Sequence, residues 1–180
     1  MLTYRLDINL ALTHGIDGFA LNIGSDDWQE ARVADAYAAA RGSRFKLFIS
    51  FDMAYLFSFS LPTYPIAHDI LDRVIPCGSR ADAERVRKYI TGYWSHPNQM
   101  KFNDRMVVST FAGESCRFGT NDLNQGWLET LKSQDMPPVH PLILLDLLYT
   151  SESRVLGLVY PLFLCRPVRI PSSFRYGWIL

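Results

Sequence analysis

Three short apolar runs in this chain end on side chains that could do chemistry. Lys46-Leu47-Phe48-Ile49-Ser50-Phe51 ends on the carboxylate of Asp52, Gly18-Phe19-Ala20-Leu21 runs into Asn22, and Val107-Val108-Ser109-Thr110-Phe111-Ala112-Gly113 leads to Glu114. In a sheet of parallel strands closed into a barrel, the C-terminal strand ends are where chemistry is done. A carboxylate at the mouth of a buried strand costs desolvation energy unless it is paired or put to use. Asp52 is therefore the candidate acid–base group, or else a capping or loop aspartate. Asn22 is a candidate donor to a substrate hydroxyl, or else a turn asparagine that satisfies backbone before Gly24. Glu114 reads as a substrate contact or a structural hydrogen-bond acceptor rather than as a second acid.

Other polar residues carry less. Asp26 and Asp27 read as helix caps rather than ligands. Trp28 reads as a packing residue, although a tryptophan at a rim can stack on a sugar ring. His14, His68, His96 and His140 are scattered without a metal or nucleophile partner at a telling distance. Ser109 and Ser115 lack the Gly-x-Ser-x-Gly elbow, so a serine hydrolase is unsupported. Cys77, Cys116 and Cys165 have no metal-ligand spacing, and a disulfide between two of them is left open. No metal and no cofactor is called for.

The elements that must position these groups follow a βαβ rhythm. Residues 5–14 read as the end of a helix with Leu6, Ile8, Leu10 and Leu12 as apolar positions and Gly15 as its stop. A strand over 18–24 follows, then a helix over 28–41 behind Ser25-Asp26-Asp27, closed by Gly42. The central strand 45–52 completes a unit whose default is a parallel sheet with right-handed crossovers. A second helix starts at Ser79, with Asp82 at its third position and Ala83, Val86, Ile90 and Tyr93 recurring on one face. A strand over 106–112 and a short helix within 119–131 come next. Two stretches break the rhythm. One is the apolar segment between Asp52 and Ser79, far longer than the usual loop of about 2–6 residues. The other is everything after His140, with apolar runs of no clear period.

Composition bounds the function class. Eighteen basic residues balance eighteen acidic ones, so no net field favours nucleic acid or an anionic membrane. Asp146, Glu152, Arg154 and Arg166 break the apolar tail well before the roughly 20 residues a spanning helix needs. Met1-Leu2-Thr3-Tyr4-Arg5-Leu6-Asp7 places charge where a signal peptide would need an apolar core. Aromatic residues make up 13% of the chain, enough to offer stacking faces to a neutral substrate such as carbohydrate.

Several blocks in order carry a resemblance. They are Gly15-Ile16-Asp17-Gly18-Phe19-Ala20-Leu21-Asn22-Ile23-Gly24, Phe45-Lys46-Leu47-Phe48-Ile49-Ser50-Phe51-Asp52, His96-Pro97-Asn98-Gln99, and Val108-Ser109-Thr110-Phe111-Ala112-Gly113-Glu114. Together, over roughly residues 5–53 and 79–139, the chain resembles glycoside hydrolase family 71, the α-1,3-glucanases or mutanases. That resemblance implies an α/β fold, a partial (β/α)8 TIM barrel of about three to five of its eight βα units. It also implies hydrolysis of α-1,3-glucan with inversion, Asp52 as one catalytic carboxylate, and Asn22 and Glu114 lining the glucan cleft. The expected partner is the polysaccharide, the expected state a monomer, and the expected location extracellular or in the cell wall.

The chain departs from the family in a way that matters. The partner acids belong to a Trp-Asn-Asp-Tyr-Gly-Glu-like segment, and these 180 residues contain none. The expectation is a domain over 1–139 that forms the N-proximal part of the barrel, with 54–75 as an insert between family-like flanks. Residues 140–180 would be a divergent tail, of the kind a shifted reading frame produces. The family's first strand and secretion signal are expected before Met1 and its later strands after Leu180. On this reading the chain itself does not turn over substrate. A non-catalytic glucan-binding remnant, or a product without stable function, is the alternative.

Overall fold

The computed structural model describes residues 2–54, 74–132, 141–148, 156–159, 166–169 and 176–179. Helix α1 (Leu2–Thr13) leads into β1 (Gly18–Ile23), and α2 (Trp28–Ala40) into β2 (Lys46–Ala54). The short β3 (Ile75–Pro76) precedes α3 (Ala83–Tyr93). Strands β4 (Lys101–Phe102) and β5 (Arg105–Phe111) form a hairpin, followed by the 3-10 turn Gly113–Ser115 and α4 (Leu123–Leu131). Strands β6 (Leu142–Leu148), β7 (Leu156–Val159), β8 (Arg166–Arg169) and β9 (Tyr176–Ile179) complete the order. The hairpin has a two-residue turn at Asn103-Asp104, both at positive φ, a conformation these two residue types tolerate better than most.

The strands line up β8-β7-β6-β5-β2-β1-β9, with β3 beside β2 and β4 beside β5. Strands β9, β1, β2, β5 and β6 are parallel, as an α/β chain requires. From β1 through β2 and β5 to β6, each strand is added on the same side of its predecessor. A doubly wound sheet would reverse at a switch point.

The helices obey the same one-sidedness. One hydrophobic cluster holds Ile8 of α1, Val33 and Tyr37 of α2, Val86 and Ile90 of α3, and Trp127 and Leu131 of α4. Phe19, Leu21, Leu47, Ile49, Phe51 and Val108 from alternate strand positions join it. All four helices among the described residues therefore cover one face. On α1 the inward positions are Ile8 and Ala11, while Leu6 and Leu10 face solvent.

Two features depart from the expected parallel rhythm. Strands β7 and β8 are antiparallel to their neighbours. Only residues 149–155 and 160–165 join them to the preceding strands, short of the dozen or so a parallel crossover needs. Strand β9 sits beside β1 at the far end of the order from β8. Seven strands laid flat at about 4.8 Å spacing would span about 29 Å. The chain from Arg169 to Tyr176 reaches at most about 25 Å, so the sheet curls. The apolar segment flagged over 54–75 falls almost wholly outside the described residues, as do Pro137 and Pro138.

Helix starts differ from the capping expected. Asp27 makes no side-chain cap bond to α2. Instead Gln29 Oε1 accepts from Gly24 N at 2.7 Å, and Asp27 pairs with Arg85 at 3.6 Å. Ahead of α3, Asp82 Oδ2 accepts from Ser79 N at 2.7 Å, and the helix proper begins after these residues. Asp122 caps α4 by accepting from Gln125 N at 2.9 Å. Gly42 closes α2 at φ +83, which a side chain would strain.

The N-terminal ends of the central strands are stitched by Asn98 and Gln99. Leu47 N donates to Asn98 O and Met100 N to Leu47 O, each at 2.8 Å. The Asn98 amide donates to the carbonyls of Ser43 and Phe45 at 3.0 and 2.8 Å. Gln99 Nε2 donates to Met100 O and Val107 O, and its Oε1 accepts from the buried Tyr37 hydroxyl.

Candidate active site

The site lies at the opposite end, where β1, β2 and β5 finish. Their register places Asn22 beside Ser50, Ser50 beside Ser109, and Asp52 beside Phe111. Side chains alternate along a strand, so these residues share the face turned away from the helices. Asn22 and Asp52 are half-buried, and the two side chains are hydrogen-bonded. Burial raises the Asp52 carboxyl above its usual value of 3.8, and the bond from Asn22 pulls it partly back. The result is a carboxyl group that holds its proton to higher pH than an exposed aspartate and has a fixed donor beside it. A half-buried carboxyl with a donor beside it is the kind of group that proton transfer requires.

Ser50 and Ser109 form a buried floor one pleat below Asp52. The Ser109 hydroxyl has no hydrogen-bond partner among the described residues. Ser115, the other serine considered, donates to Ala112 O at 2.8 Å and shapes a turn.

Beyond β5 the backbone folds back sharply. Ala112 adopts left-handed φ 57, ψ 17, and the 3-10 turn follows. Gly113 is required there, because a Cβ would lie 2.2 Å from Thr110 Oγ1. Trp127 Nε1 donates to Gly113 O at 3.1 Å. A disulfide between Cys77 and Cys116 ties this turn to the segment after β3, and Phe118 N donates to Cys77 O at 2.9 Å. The pairing left open by the sequence is thus settled between these two cysteines. Glu114 sits exposed in this turn, three residues past the end of β5, and the turn packs against β2.

Trp28 is not the packing residue the sequence suggested, for its side chain is 61% exposed. With Tyr4, Asn22, Gln29 and Arg32 it lines a notch of about 50 Å³ at the end of β1. That is far below the roughly 300 Å³ of a small-molecule pocket. Among the described residues, no three His, Cys, Asp or Glu side chains group as metal ligands.

Sequence reasoning missed Phe111. It is 68% exposed beside Asp52, although the five residues before it are buried. Its place in an apolar run disguised it, and only the register with β2 gives it a neighbour of interest.

The family model described as Glycosyl hydrolase family 71 matches residues 1–144. The chain belongs to this family. It is 40% identical over 128 residues to glucan endo-1,3-alpha-glucosidase agn1 of Schizosaccharomyces pombe, covering 70% of this chain and 25% of that protein. The ascus wall endo-1,3-alpha-glucanase of the same yeast is 27% identical over 132 residues, covering 72% of this chain and 25% of that protein. A Penicillium rubens mutanase is 34% identical over 113 residues, 62% of this chain and 20% of that protein. The chain thus spans about a quarter of the length of the curated relatives it matches. No solved structure matches it.

The motif residues fall at two opposite ends of the strands. Asn98 and Gln99 hold the strand starts together, whereas Asn22 and Asp52 meet at the strand ends. No helix among the described residues is long and apolar enough to cross a membrane.

Proposed function

We propose that this chain carries the N-proximal part, residues 1–139, of a family 71 catalytic barrel that acts on α-1,3-glucan, with Asp52 as one of its two catalytic carboxyl groups. The observation that carries this reading is the Asn22–Asp52 pair at the C-terminal ends of adjacent parallel strands, in a chain whose relatives are named α-1,3-glucanases and a mutanase. The one-directional strand order, the helices on a single face and the curl of the sheet support a barrel as the parent architecture. The disulfide supports an oxidising, extracellular setting.

In the inverting mechanism, one carboxylic acid protonates the leaving glycosidic oxygen. The other carboxylate takes a proton from water as it attacks the anomeric carbon from the opposite face. The two stand about 6.5–9.5 Å apart. Asp52, raised by burial and oriented by Asn22, fills one role, and Glu114 contacts the glucan at the same rim. The second acid belongs to a segment these 180 residues do not contain, so on this reading they supply the Asp52 half of the site and bind glucan without cleaving it.

The test is sedimentation with insoluble α-1,3-glucan, run beside an assay for released reducing sugar. The expected result is co-sedimentation without sugar release. Sugar release abolished by Asp52→Asn would show that the chain is a complete catalyst and overturn the binding-only part. Failure to co-sediment would overturn the glucan reading.

A further inference from the structure

We infer that Phe111 is the platform on which a glucosyl ring stacks beside Asp52, orienting the sugar for that carboxyl group. The inference rests on the α-1,3-glucan reading above and adds a residue to it. Phe111 ends a strand whose five preceding residues are buried, yet its own ring is 68% exposed. Scattered exposed apolar residues are ordinary, as Leu6 and Leu10 on α1 illustrate. What sets Phe111 apart is its register partner, for Asp52 lies directly beside it on the next strand.

The backbone behind the ring is fixed. Ala112 turns left-handed immediately behind it, Ser115 Oγ donates to Ala112 O, and the Cys77–Cys116 disulfide fastens the turn that follows. With the backbone fixed, only the two side-chain torsions of the ring remain to be ordered when a ligand arrives.

The chemistry selects a sugar. One face of a pyranose is a plane of C–H groups, and its hydroxyls project from the edge. Stacking that plane on Phe111 takes apolar surface out of water on both sides. The edge hydroxyls stay free for Asp52 on the adjacent strand and for Asn22 on the strand beyond it. A purely apolar ligand would take the remaining hydrogen-bonding capacity of those polar groups out of water without replacing it.

The experiment measures binding of the full chain to insoluble α-1,3-glucan for the wild type and for Phe111→Ala, Phe111→Leu and Phe111→Trp. Thermal melts check that each variant is folded, and the exposure of Phe111 predicts melts close to wild type. Alanine and leucine variants are expected to bind about tenfold more weakly, and the tryptophan variant within about twofold of wild type. Leucine matters because it keeps apolar bulk without a flat face. If the alanine or the leucine variant binds as the wild type does, stacking at Phe111 is overturned while the glucan reading stands. If the wild type itself does not bind, the glucan reading falls and takes this inference with it.

Discussion

Asn22 at the end of β1 and Asp52 at the end of β2 are hydrogen-bonded across adjacent parallel strands, and burial and the Asn22 bond act on Asp52 in opposite directions. Burial is the larger effect and raises the carboxyl pKa. Removing the donor leaves burial unopposed, so Asn22→Ala is expected to raise it further. A carbon-13 NMR titration of the Asp52 carboxyl checks this. An unchanged or lowered value in the variant would mean that Asn22 does not stabilise the ionised form.

The same burial makes Asp52 a pH-dependent cost to stability. Its folded pKa lies above the usual aspartate value of 3.8, so the native state binds the proton more tightly than the unfolded one. Stability from this group therefore falls as pH rises from 3.8 through the folded pKa, and it is constant above. Asp52→Asn should stabilise the fold near pH 7, with the gain fading at about pH 3, where both states are protonated. Urea denaturation at the two pH values measures it. An equal gain at both would point to packing rather than charge.

The Cys77–Cys116 disulfide closes a loop across 39 positions and anchors the turn behind Phe111. Its loss, by reduction or by Cys77→Ala with Cys116→Ala, should cost about 2–4 kcal/mol of unfolding free energy. Chemical denaturation with and without reductant reports this. Indifference of the wild type to reductant would contradict a structural role.

Tyr37 donates its hydroxyl to Gln99 Oε1 inside the core, and Gln99 Nε2 binds two backbone carbonyls. Tyr37→Phe strands one buried acceptor and should cost about 1–3 kcal/mol. Gln99→Ala removes all three bonds and should cost more. Comparing the two denaturation midpoints decides it, and the reverse order would exclude Gln99 as the hub.

Ala112 holds a left-handed backbone at φ 57 that a non-glycine residue adopts at a penalty. Ala112→Gly should raise stability by up to about 1 kcal/mol, the strain relieved exceeding the entropy added to the unfolded chain. A lowered melting temperature would show that the methyl group packs usefully.

Much of the scaffold was legible in local pattern. The apolar runs at 18–24, 45–52 and 106–112 became β1, β2 and β5. The three- and four-residue spacing of Ala83, Val86 and Ile90 became the buried face of α3. Hydrophobic period is a local property of the chain, and each run could be read alone. Asp52 and Asn22 were visible for the same reason, as polar residues closing such runs. The tail after His140 was not legible as β6 to β9, because short apolar stretches do not announce their partners.

By itself the sequence determined which residues face a common side of each strand, where helices begin and end to within a few positions, and the family the blocks resemble. Only the tertiary structure decided the meetings across the chain. Asn22 reaches Asp52 because β1 pairs with β2 in one register, and a slip of one residue would turn it toward the helices. Phe111 gains its significance from the same register on β5, and Cys116 its partner from the return of a turn to β3. Each is a contact between segments far apart in sequence, and no local period encodes it.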